Sequence, residues 1–201
     1  ALASPDFLLV DLAGTSGRLD VLLRCLRAAM LVSHGLRSDT IAYLVLLGGP
    51  RAPRTLRVES NLVHFLRPDE RSLAVLAQKA LAVDSARGDG EFVALRRGIS
   101  VADGGLEVVL RDLGPGTRYV LEEGAPDLRD APLDARDPVF FVGAHSGFGD
   151  ATRARLEELD AKPIAVGPVS LHAEDAIAVL SNELDRRNGG HALRHNVVLP
   201  R

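Results

Sequence analysis

The chain has 201 residues, 46% of them hydrophobic, with 24 Lys/Arg against 27 Asp/Glu and a net charge of −3. That supports one core-bearing domain or two small ones, and no apolar run reaches the roughly 20 residues of a membrane-spanning helix. A single cysteine, Cys25, excludes an internal disulfide and a cysteine-based metal site, and fits a reducing, intracellular setting.

The chain opens "ALASPDF", without Met, so a short segment is expected ahead of Ala1. Residues 1–80 hold ten basic and seven acidic side chains, while the rest holds fourteen and twenty. Nearly all the basic residues are Arg, whose planar fork suits phosphate or carboxylate. A basic patch for an anionic partner and a solvated Arg-rich surface are both consistent with this.

"GTSGRLDVLLRCLRAAMLVSHGL" reads as a helix on the spacing of Leu19, Leu22, Leu23, Leu26, Ala29 and Met30, with Ser16 as cap and Gly35 as stop. Asp20 and Arg24 form an i,i+4 pair on its polar face. "TIAYLVLLGG" is a buried strand and "RTLRVES" a shorter alternating one, followed by a helix over about 69–85. "EFVALRR" predicts a strand, "VADGGLEVVLRDL" a helix and "TRYVLEEG" a strand, before a Pro- and Asp-rich loop. Strand 139–142, helix 150–159 and strand 163–166 come next, then a closing helix over about 170–184 capped by Ser170. The alternation predicts an α/β fold with a largely parallel sheet flanked by helices. The tail "NGGHALRHNVVLPR" has no clear placement and fits either disorder or a packed edge.

"VFFVGAHSGFG" runs from a strand into a glycine turn and then a helix, the order of a phosphate cradle. It lacks the Gly-Lys-Ser/Thr ending of a P-loop and the G-x-G-x-x-G of a dinucleotide fold. Asp150 at the helix start would also repel phosphate. A second glycine loop, "IAVGPVSLH", ends the following strand. Two such loops at strand carboxyl ends can hold a planar heterocycle with backbone groups.

Elsewhere, Pro68 makes Asp69 a natural helix cap. Arg67 and Arg71 flank that carboxylate, so it could also orient a polar group or accept a proton while the arginines hold phosphate. His34 and His172 lack metal-ligand spacing, so no metal is expected. No serine elbow appears.

"GTSGRLDVLLRC", "LVSHGLRSD", "PDERSLAVLAQKAL", "YVLEEG", "PVFFVGAHSGFG" and "IAVGPVSLHAEDAI" follow one another across residues 4–187. In that order they resemble the archaeal-type (TrmY-type) tRNA pseudouridine N1-methyltransferases of the SPOUT, or trefoil-knot, superfamily. The resemblance implies a single domain over 1–187, a deep C-terminal knot at about 118–184 and a tail over 188–201. It also implies an obligate homodimer, cytoplasmic location, S-adenosylmethionine (SAM) as cofactor, and pseudouridine 54 in the T-loop of tRNA as target. An N-terminal strand of the family would then precede this chain.

The cofactor positions it implies are Leu121, Gly143, Ala165, Val166, Gly167, Pro168, Val169, Ser170, Leu171 and Ala176. Asp69 and Arg71 match the substrate-side "PDER" motif in catalytic places. Arg18, Arg24, Arg37 and Arg67 become RNA contacts. Ala176 departs from the resemblance, which implies cysteine there. That departure keeps two alternatives open: a knotted RNA-binding module without turnover, and the same methylation on another RNA such as ribosomal RNA.

Overall fold

The structure is a computed structural model, and it describes residues 1–33, 35–38, 40–85, 90–133, 137–143, 147–188 and 195–200. His34, the 144–146 part of the glycine turn and most of the tail's first half lie outside the described residues. In chain order the elements are α1 (Leu12–Thr15), α2 (Leu19–Met30), β1 (Leu31–Val32), β2 (Gly35–Leu36), β3 (Thr40–Leu46), β4 (Arg54–Glu59) and α3 (Glu70–Leu81). There follow β5 (Val93–Arg96), β6 (Ile99–Asp103), α4 (Leu106–Leu113), β7 (Arg118–Leu121), β8 (Val139–Phe141), α5 (Asp150–Glu158), β9 (Lys162–Ile164), α6 (Ala173–Arg187) and β10 (His195–Pro200).

One sheet organises them, in the order β5-β6-β4-β3-β10-β8-β7-β9. From β3 to β9 every pairing is parallel, whereas β3-β4, β4-β6 and β5-β6 are antiparallel. Side chains alternate across β3, as the pleat requires. Ala42, Leu44 and Leu46 pack with the apolar faces of α2 and α3. Ile41, Tyr43 and Val45 pack on the other side with Val109 of α4 and Leu156 of α5. Tyr119, Phe140 and Ile164 form a third cluster with Leu180 and Leu184 of α6. The sheet is therefore flanked by helices on both faces.

Several elements differ from the sequence reading, each for a local reason. Ser16 does cap α2, its hydroxyl accepting from Leu19 N–H at 2.9 Å, but Arg18 occupies the cap position itself with φ 67°. The helix stops at Met30, and Gly35 belongs to a small hairpin with β1. Residues 99–103, read in part as helix, form β6 in antiparallel register with β4. The strand ends at Gly104, whose φ of 137° suits only glycine and where a Cβ would collide with Val108 of α4. The closing helix starts at Ala173 after His172, and Ser170 stays in the loop before it. The tail supplies β10, which lies between β3 and β8, away from either edge, with Val197, Val198 and Leu199 buried. A short, continuously apolar run is the pattern of a strand covered on both faces, and it carries no alternation to read.

Candidate ligand-binding site

The carboxyl ends of β7, β8 and β9 open onto one hollow of about 1050 Å³. That is the edge of a parallel sheet where ligands ordinarily bind, and the size suits a cofactor with room beside it. β7 leads Leu121, Glu122 and Glu123 into the wall, β8 leads Val142 and Gly143, and β9 leads the loop 165–171. Ala176 on the first turns of α6 and Arg18, Val21 and Arg24 on the α2 side complete it. Of the ten positions that the resemblance implies for a cofactor, Pro168 alone stands outside the lining.

The loop is built to offer backbone. Ala165 is tied down, its N–H donating to Pro126 O at 2.9 Å and its carbonyl accepting from Leu128 N–H at 2.7 Å. Beyond it, among the described residues, no backbone group from Val166 to Leu171 makes a hydrogen bond to another backbone group. Unpaired backbone groups need a partner in water or in a ligand. Gly167 has φ 150°, and among the described residues a Cβ on it would meet no atom within 4 Å, so this turn borders open space. Gly143 is the opposite case: a Cβ there would sit 3.1 Å from the backbone of Gly147, so the two glycines allow the bend after β8 to close. Val169 and Leu171 expose large apolar side chains at the same place.

These features fit S-adenosylmethionine. Amides and carbonyls without a described main-chain partner can read an adenine edge, Val169 and Leu171 can cover its faces, and carboxylates such as Glu123, or Glu122 beside its partner Arg153, can accept from ribose hydroxyls. Among the described residues no group of three or more His, Cys, Asp or Glu could hold a metal ion. No described helix is long and apolar enough to cross a membrane.

The arginines are less free than their sequence positions suggest. Arg18 Nε donates to Asp20 at 3.0 Å, and Arg24 reaches the same carboxylate at 3.0 Å. Arg24 Nε also donates to Glu174 at 2.8 Å, and its NH1 lies 3.7 Å from Glu70. Burial alone would push Asp20 up, but the hydrogen bonds from Arg18 and Arg24 outweigh it and hold its pKa below the ordinary carboxylate value. Glu174 is lowered in the same way, the Arg24 bond overcoming its burial. Arg37 pairs with Asp185 at 2.8 Å. Arg67 and Arg71 are exposed and carry no ion pair among the described residues.

Asp69 and Arg71 lie outside the lining of the large hollow. Asp69 caps α3, its Oδ1 accepting from Ser72 N–H at 2.8 Å. Hydrogen bonding from Ser72 lowers its pKa, which weakens it as a proton acceptor. A second hollow, of about 950 Å³, lies between α2 and α6 and contains Arg27, Arg37 and Pro68, with Val32 and Phe65 exposed on it. Arg24, Glu174 and Asp175 line both hollows. Sequence reasoning missed Glu174, Val21 and Phe148 as wall residues; adjacency to the glycine loops points to Glu174 and Phe148, while nothing in the sequence points to Val21.

Comparison with known proteins gives the family. A family profile described as SAM-dependent RNA methyltransferase matches residues 1–188. The tRNA (pseudouridine(54)-N(1))-methyltransferase of Methanosarcina acetivorans is 39% identical over 96% of this chain and 94% of its own. The enzyme of that name from Halobacterium salinarum is 38% identical over 92% and 91%. In fold, the chain resembles Archaeoglobus fulgidus Nep1 solved with S-adenosylhomocysteine, at a TM-score of 0.56, 21% identity, and coverage of 86% of this chain and 72% of that one. The chain belongs to the SAM-dependent RNA methyltransferase family that includes the tRNA (pseudouridine(54)-N(1))-methyltransferases.

Proposed function

We propose that the large hollow binds S-adenosylmethionine and that the protein methylates N1 of pseudouridine 54 in the T-loop of tRNA. The observation that supports this best is the run 166–171, whose backbone groups are unpaired with one another and with the rest of the described main chain at the mouth of three parallel strands. Bound there, the cofactor supplies a methyl group on a positively charged sulfur. Forming the new N–C bond would break the C–S bond, leave S-adenosylhomocysteine and pass the N1 proton to solvent water, so the protein's main task would be to hold nitrogen, methyl and sulfur in line. The target base must leave its stack to reach such a recess.

The exposed cations Arg67 and Arg71, beside the start of α3, are suited to the RNA backbone, and Arg18 can add a partly exposed charge at the hollow's rim. Asp69 serves this arrangement by fixing where α3 starts. The deep knot over about 118–184 belongs to the same proposal: the segments that line the hollow after β7, β8 and β9 all fall within it. A cytoplasmic homodimer also belongs to it, with the second copy covering the face where Val32 and Phe65 are exposed.

The test is incubation with labelled SAM and T-loop RNA carrying pseudouridine or uridine at position 54, followed by mass spectrometry of the nucleosides. The reading expects N1-methylpseudouridine from the first RNA and no product from the second. Methylation of ribosomal RNA alone would move the substrate, not the chemistry. A second reading, RNA binding without turnover, draws on Ala176, which lines the hollow where the resemblance implies cysteine. RNA binding without any labelled product would favour it.

A further inference from the structure

Arg24 occupies an unusual position. It projects from the middle of α2 and touches three carboxylates from three different elements. Asp20 lies one turn earlier on its own helix, Glu174 lies in the first turn of α6, and Glu70 opens α3. Asp20 is almost fully buried and is held from its other side by Arg18. The guanidinium is therefore engaged on both its Nε and NH1 sides, with little left to neutralise a phosphate. What it does hold is geometry. The loop 165–171 ends at His172, and Glu174 is the second residue of α6. Fixing Glu174 against α2 thus fixes the carboxyl end of the loop whose backbone lines the hollow. Glu70 lies between Asp69 and Arg71, so the same side chain faces the proposed substrate side. Arg24 and Glu174 also form part of the wall shared by the two hollows.

We infer that Arg24 is a positioning residue that anchors the cofactor loop through Glu174, and that it is not an RNA phosphate contact; this rests on the large hollow being the SAM site. Its fork is the requirement. Lysine carries the charge but cannot place Nε on Glu174 while NH1 reaches Asp20. The loop without this anchor has few internal bonds to keep it in one shape, so binding a rigid ligand must first order it.

The experiment uses the full chain with Arg24→Ala, Arg24→Lys, Glu174→Gln and the double variant Arg24→Ala/Glu174→Gln. Calorimetry with S-adenosylhomocysteine, filter binding of unmodified tRNA across a salt series, and thermal melting are read for each. Arg24→Ala should weaken S-adenosylhomocysteine about tenfold, as loss of a coupled support does, and the double variant should be no worse than the single. Arg24→Lys should recover only part of that. The KM for SAM should rise while the KM for RNA stays put, and the slope of RNA affinity against salt should not change. Unchanged S-adenosylhomocysteine affinity with a salt slope shallower by about 1 would overturn the inference and return Arg24 to phosphate contact. Equal weakening of both ligands together with a large fall in melting temperature would also overturn it, in favour of general stability. If Arg24→Ala fails to fold, the lysine and Glu174→Gln variants decide the same question. Failure of the unaltered protein to bind S-adenosylhomocysteine would sink the SAM-site reading itself and is distinguishable from every outcome above.

Discussion

In the antiparallel half of the sheet, β4-β6-β5, most of the buried charged side chains are paired within the protein. Arg54 is fully buried and donates to Asp103 at 2.8 Å, to Leu81 and Val83 carbonyls and to Ser85, locking the end of α3 to the sheet. Arg57 binds Glu59 and Asp112, and Tyr43 donates its hydroxyl to Asp112 at 2.5 Å. Around the carboxyl ends of β7, β8 and β9 the side chains are also paired, but the main chain differs: among the described residues the backbone of 166–171 has no backbone partner. Satisfied polar networks stiffen a scaffold, and unsatisfied backbone on a rigid edge is what a ligand can use. The contrast separates a half built for stability from the half proposed to bind the cofactor.

Four perturbations test that separation, in order of expected size. Arg54→Met should cost about 3 kcal/mol of unfolding free energy, because buried carbonyls lose their donor, while the folded protein keeps its S-adenosylhomocysteine affinity. Denaturant melts and calorimetry check the two halves of that statement separately. Gly143→Val should do the opposite, cutting S-adenosylhomocysteine affinity by roughly tenfold or more as overpacking at the Gly147 backbone distorts the bend, with a smaller change in melting temperature.

Asp69→Ala should lower stability by about 1 kcal/mol through loss of the cap, whereas Asp69→Asn should keep both stability and turnover. A large fall in kcat for Asp69→Asn at unchanged stability would instead give its carboxylate a role in removing the N1 proton. The smallest effect concerns pH. Asp20 and Glu174 have lowered pKa values in the folded chain, so their contribution is fully present above the unfolded value of about 4 and is lost as pH falls below it. Melting temperature measured between pH 7 and pH 3 should therefore fall more steeply for the unaltered protein than for Asp20→Asn/Glu174→Gln.

The two glycine loops were legible in the sequence because they are local, whereas the cofactor positions within them rested on the family resemblance. Glycine-ended strands followed by helices can be read within a dozen residues, and positions such as Gly143 and Gly167 advertise the bends they make. The rest depends on long separation. Arg24 and Glu174 lie 150 positions apart, so the pair that redefines Arg24 leaves no mark in either neighbourhood. β10 is invisible for a related reason: its partners are at 40–45 and 139–141, and an apolar run buried on both faces shows no period. β6 was obscured by its direct passage through Gly104-Gly105 into α4, where helical spacing begins two residues later.

The most direct test of the account is transfer of labelled methyl from SAM to paired T-loop RNAs that differ only in pseudouridine or uridine at position 54. The account predicts label on the pseudouridine RNA, recovered as the N1-methylated nucleoside, and background on the other. Equal labelling of the two, or none on either with the cofactor demonstrably bound, would contradict it.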